Sequence, residues 1–231
     1  MAKHLQILRS ILPLALTAIL TTGLVACATP EPEEPTSTPT APEAVEEDTA
    51  EANSDFVAAE WAAPVTNPGD LLGTISGPDF QVDVYQVGTI AATTTGQFAD
   101  PTTNEPIIDV GDELVFVNYV FTNTGSEDIP LSFTLVDVTA TYGDWPYLQG
   151  MDSVVDFDLD EAMEINRAGL RTGVGESPFI WEPGTSYSYG ENFLYQSGSP
   201  IVFDASLTPA DQDGDLIHDE NRSAELATTI K

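Results

Sequence analysis

Leu114 to Phe121 is apolar on both parities: Val115, Val117, Tyr119 and Phe121 fall on one side, and Leu114, Phe116 and Val120 on the other. Side chains on a β-strand point alternately to opposite faces, so this run needs apolar cover on both. It is predicted to be a central strand. The surrounding sequence is rich in β-branched and aromatic residues and is punctuated by Gly, Pro and Asn turns, which favours an all-β fold built around it.

Other runs supply the partners. Leu71 to Ser76 and Phe80 to Ile90 flank Gly77-Pro78 and read as an opening hairpin, behind an irregular segment from Phe56 to Asp70 that docks Trp61 on the core. Ala91 to Pro106, rich in Thr, Pro and Asn, reads as a long exposed loop. Beyond Asn123-Thr124-Gly125, Leu131, Phe133 and Leu135 alternate inward. The apolar parity then slips to Val136, Val138, Ala140 and Tyr142, which implies a bulge near Leu135. Asp156 to Asn166 breaks the β pattern and predicts a short helix capped by Asp156 or Asp158. Phe179 to Trp181, Pro183-Gly184 and then Tyr187, Tyr189, Phe193 and Tyr195 predict a second hairpin, with the aromatics in the core. Two further strands run through Ile201 to Leu207 and Ala224 to Ile230, joined by an acidic loop. The expectation is an antiparallel β-sandwich with one short helix over residues 56–231.

The preceding residues are of another kind. Lys3, His4 and Arg9 form a cationic head on an apolar run from Ile11 to Ala26, the layout of a secretory signal peptide spanning residues 1–26. Leu24-Val25-Ala26-Cys27 resembles the lipobox of bacterial lipoproteins. The resemblance implies cleavage after Ala26, a diacylglyceryl thioether on Cys27 and a membrane lipid anchor outside the cytoplasm. Each buried acyl methylene contributes about 0.8 kcal/mol, so two or more chains hold stably. Cys27 is the single cysteine, which excludes an intrachain disulfide. From Ala28 to Asp55 the chain has five prolines, nine acidic residues and no Lys, Arg or aromatic side chain. Residues 27–55 therefore read as a lipidated cysteine and a disordered, self-repelling tether with a reach of about 30 Å.

A second resemblance lies in the domain. Val110-Gly111-Asp112-Glu113, Phe116-Val117-Asn118-Tyr119 and Thr122-Asn123-Thr124-Gly125-Ser126-Glu127, followed by Pro130-Leu131, are similar to immunoglobulin-like modules of unknown function in Gram-positive lipoproteins. This implies an immunoglobulin-like sandwich on a lipid anchor and brings no catalytic residues.

Charge and motifs narrow the chemistry. All 38 acidic residues lie beyond the leader, opposed there only by Arg167, Arg171, Arg222 and Lys231. Nucleic acid and anionic headgroups are repelled, while cations and basic partner surfaces are attracted. His218 is the sole histidine outside the leader, no Gly-x-Ser-x-Gly elbow exists, and phosphate-loop and dinucleotide motifs are missing, so no catalytic residues are assigned. Asp211, Asp213, Asp215 and Asp219 form the sharpest metal-like pattern and resemble a calcium loop. The pattern has Leu216 where a turn glycine is expected and Arg222 where an EF-hand places its closing glutamate. A plain acidic hairpin loop is the simpler reading. Asp152, Asp156, Asp158, Asp160, Glu161 and Glu164 read as a solvated acidic face.

The expected function is a non-enzymatic binding protein of the cell envelope with no cofactor. Its anticipated contacts are with a protein or wall polymer, through the loops Ala91 to Pro106 and Pro209 to Asn221. Alternatives are a calcium-binding structural or adhesive protein using the Asp211–Asp219 loop, and a carboxylate-dependent cell-wall glycan hydrolase.

Overall fold

The computed structural model describes residues 56–231; the leader, Cys27 and the tether lie outside the described residues. Eight strands form two antiparallel sheets. They are β1 (Asp70–Ser76), β2 (Phe80–Ala91), β3 (Glu113–Asn123), β4 (Ile129–Tyr142), β5 (Phe179–Trp181), β6 (Ser186–Leu194), β7 (Pro200–Pro209) and β8 (Arg222–Thr229), with one helix, α1 (Phe157–Ala162), between β4 and β5. The first sheet has the order β1-β2-β3-β6 and the second β5-β4-β7-β8. The chain crosses between sheets at β3–β4, β5–β6 and β6–β7, and these crossings tie the two layers together.

The core fills the space between the sheets. Val82, Val84, Val115, Val117, Tyr119, Phe121, Tyr187 and Phe193 face Leu131, Val136, Val138, Tyr142, Phe203 and Leu207. The opposite parity of β3 is buried for a different reason. Leu114 and Phe116 seed a second, smaller core with Ala92, Ile108, Val154, Leu159 and Ile165, which lie in the β2–β3 loop, in α1 and in the chain around it. A third layer thus covers the outer face of the first sheet, and this accounts for a central strand that is apolar on both sides.

Trp61 sits on the core as expected, 6% exposed, its Nε1 donating to the Ile180 carbonyl at 2.8 Å. Its neighbours pair with the open edge of β6 through Ala59 N to Ser186 O at 2.8 Å, which protects that edge from outside pairing. The bulge is also present. Pairing of β4 with β7 jumps from Leu131–Pro209 to Val136–Leu207, and Leu135 has φ +53°. It is wider than a one-residue slip, and it turns Phe133 outward, 60% exposed and edge-on to Phe179, where alternation placed it inside.

The second hairpin does not exist. Phe179–Trp181 pairs with the start of β4, while Ser186–Leu194 pairs with β3, so the Pro183-Gly184 turn passes from one sheet to the other. Buried Asn123 fastens that crossing: its Nδ2 donates to Trp181 O at 2.7 Å and Glu127 O at 3.0 Å, and its Oδ1 accepts from Gly125 N at 2.9 Å.

Candidate functional site

Strand register puts the two loops singled out in the sequence at opposite ends of the sandwich. Ala91, Glu113, Tyr142 and Leu194 mark an upper end, which carries the β2–β3 loop. Asn123, Ser186 and Pro209 mark a lower end, which carries the acidic loop and the entry of the described chain at Ala58–Ser186. The two loops cannot share one surface.

At the upper end the β2–β3 loop runs antiparallel to the segment that follows β4, and three carboxylates zip them together. Thr93 Oγ1 donates to Asp156. Gln97 N and Phe98 N donate to the two oxygens of Asp152 at 2.9 and 3.1 Å. Tyr147 Oη donates to Asp100 Oδ2 at 2.9 Å. Gly96 makes the middle bond reachable, because a Cβ there would stand 2.0 Å from Asp152 Oδ2. Each end of the pair is fixed to the scaffold. Asn192 on β6 exchanges two 2.9 Å bonds with the Val154 backbone, and Asp156 caps α1 through Asp158 N at 2.9 Å. Trp145 Nε1 donates to Gly150 O at 2.8 Å and its ring lies edge-on to Tyr147, closing the turn between them.

Asp158, Glu161 and Glu164 are exposed as expected, but the bracing corrects the solvated-face expectation at Asp152 and Asp160. Asp152 and Asp160 are 1% and 5% exposed; the first receives backbone N–H groups and the second a bidentate pair from Arg167 at 2.5 and 3.0 Å. Glu164 leaves the helix, which ends after Ala162, at φ +55° and so shares no helical face with Asp156 and Asp160. The N–H groups of Thr102 and Thr103 and the Tyr147 hydroxyl hold the Asp100 carboxyl below its ordinary value, and the same bond raises Tyr147. The Thr93 hydroxyl, then the N–H groups of Asp158 and Leu159, lower Asp156, with Arg167 adding to the effect.

The zipped loops hold apolar side chains out to solvent. Leu148 is fully exposed, Phe157 is 72%, Val155 52% and Phe98 38% exposed. Arg167 lies over the Phe157 ring at 5.7 Å from its centroid. A rigid scaffold presenting large apolar groups on braced loops is the usual construction of a contact surface.

The acidic loop is differently made. Asp211 Oδ1 accepts from Asp213 N at 2.9 Å and Asp215 N at 3.0 Å, closing a turn through Gly214 at φ +86°. Asp213 and Asp215 are exposed, and Asp219 sits in a single 3-10 turn, His218–Glu220. Arg222 pairs with Asp79 at 2.7 Å. No group of three or more His, Cys, Asp or Glu side chains among the described residues is placed to hold a metal ion.

One residue escaped sequence reasoning. Glu191 occupies a core-facing position of β6, in line with Tyr187, Tyr189 and Phe193 and paired with Val117. Burial pushes its carboxyl up to about 7, a hydrogen bond donated by Tyr119 acts in the opposite direction, and the Asp137 charge adds to the rise. The two-residue period through Tyr187 and Phe193 was the available signal. Neither of two surface clefts, about 240 Å³ beside Arg171 and about 290 Å³ beside Lys231, is lined by Glu191.

The aromatic run Tyr187, Phe193 and Trp181 is buried, and Tyr187 stacks on Phe121 at 4.5 Å, so these rings form core as expected. No protein-family model and no curated protein matches the chain. Among solved structures it is similar to a candidate lipoprotein (ycdA) from Bacillus subtilis, at 17% identity and a TM-score of 0.34, over 68% of this chain and 38% of that one. The match therefore spans well under half of the Bacillus protein, and a likeness of this strength defines neither fold nor function.

Proposed function

We propose that the chain is a lipid-anchored, non-catalytic interaction protein of the cell envelope, which uses the zipped upper-end loops as its contact face. The single observation that carries the reading is that fully exposed Leu148, with Phe98, Val155 and Phe157, stands on loops pinned by three carboxylates. Apolar groups held at this cost in ordering favour a partner. The lipobox-like Leu24-Val25-Ala26-Cys27 supports the anchor and the location outside the cytoplasm. The described chain enters the sandwich at the lower end, which leaves the upper-end loops clear of that entry. The sheet order β1-β2-β3-β6 against β5-β4-β7-β8 supports an immunoglobulin-like domain. Partners are an envelope protein or a wall polymer, with no nucleic acid and no cofactor.

Replacing Cys27 with Ser tests the anchor. The variant is expected to leave the membrane fraction while the native chain stays in it. Equal membrane retention of both would contradict the anchor.

A further inference from the structure

The upper-end face mixes exposed apolar groups with carboxylates that have no cationic partner. None of the three ion pairs among the described residues involves Asp100, Asp144 or Asp158, and exposed Glu105 and Glu161 lie on the same elements. The four cations are placed otherwise. Arg222 is paired with Asp79 at the lower end, Lys231 lies 3.9 Å from Asp70 at the β1 edge, and Arg171 Nε donates to the Glu60 carbonyl. Arg167 alone engages this face, and it shows what the face can hold: its guanidinium is gripped by Asp160 and stacked on the exposed ring of Phe157. Tyr147 bonded to Asp100 repeats that aromatic and carboxylate setting without a cation of the chain's own. A cation over an aromatic face gains from the ring quadrupole as well as from the neighbouring carboxylate.

We propose that this face docks a basic polypeptide segment, with aliphatic or aromatic side chains packing on Leu148 and Phe98 and Lys or Arg meeting the carboxylates around Tyr147. The proposal rests on the upper-end loops being the contact face. Charge complementarity speeds the encounter and excludes acidic partners, while the apolar groups set the lifetime of the complex.

The test measures fluorescence anisotropy of labelled peptides with the full chain at physiological ionic strength. Three probes share a Phe-Gly framework and carry Lys, Gln or Glu at the remaining positions; a fourth carries Lys with Ser in place of Phe. The Lys/Phe peptide is expected to bind, the others to bind at least about tenfold more weakly, and the double variant Phe98→Ser, Leu148→Ser to lose about tenfold. Phe133→Ser, an exposed aromatic on the second sheet, is expected to bind as the native chain does, and coincident melting curves certify that the variants fold. Equal binding of the Lys/Phe and Glu/Phe peptides, with loss in the double variant, would overturn the basic partner and leave the contact face standing. Undiminished binding by the double variant, or equal binding of Lys/Ser and Lys/Phe, would overturn both. Binding of phosphatidylcholine vesicles in place of every peptide would assign the face to lipid and overturn the proposal.

Discussion

Glu191 faces the interior of a sandwich, where an ionised carboxylate loses much of its hydration and keeps one donor, Tyr119. Its carboxyl titrates near 7 when folded and near 4.5 otherwise. The folded state therefore holds a proton that the unfolded state releases between these values, and stability falls as the pH rises through that window, by at most about 3 kcal/mol. Denaturant titrations at pH 5 and pH 8 are expected to show this loss in the native chain and little of it in Glu191→Gln, which keeps an acceptor for Tyr119 and carries no charge. Parallel pH dependence in both proteins would remove Glu191 as the cause. Asn123 has the opposite character, a neutral side chain with three short bonds at the sheet crossing. Asn123→Ala is expected to cost about 2–3 kcal/mol in the same assay, since it strands buried backbone groups; a cost within error of zero would contradict its role as the fastener.

The zipped loops depend on Gly96 at the scale of an element. Gly96→Val places a Cβ 2.0 Å from Asp152 Oδ2, which must move, so hydrogen exchange is expected to quicken over residues 93–103 and 145–156 while β3 and β7 remain protected. Quickening across the whole sandwich, or none in the loops, would contradict a locally closed zipper. Acid acts on the same bonds. Asp100 and Asp156 are held below their ordinary value of 3.8, so their contribution is present above that pH and is lost as the pH falls through the lowered values. The contrast with what could be read beforehand is physical. The both-sided β3, the bulge at Leu135 and the Asp156 cap are written in consecutive residues, because strand parity and capping act over a few positions. The pairing of β5 with β4, the outward turn of Phe133 and the bonds of Asp152 to Gln97 and Phe98 join residues about fifty positions apart, and no local pattern encodes them. Glu191 was legible in period but not in depth, since only the packed sheets show that its face is the inner one.

At the scale of the molecule the chain has a formal net charge of −32 and no disulfide to hold it against its own repulsion. Salt screens such repulsion, so the melting temperature is expected to rise with sodium chloride, and a fall would contradict net repulsion as the dominant long-range term. The same charge makes contact with basic surfaces easy everywhere, and the upper end adds exposed Leu148, Phe157, Val155 and Phe98 on braced loops. The central claim is that this end meets the partner. It is tested most directly by placing a photo-crosslinking residue at Leu148, or at Val202 on the outer face of the second sheet, in otherwise native full chain and irradiating intact cells. A discrete adduct is expected from position 148 and none from position 202. Adducts of equal yield from both, or from position 202 alone, would contradict that claim.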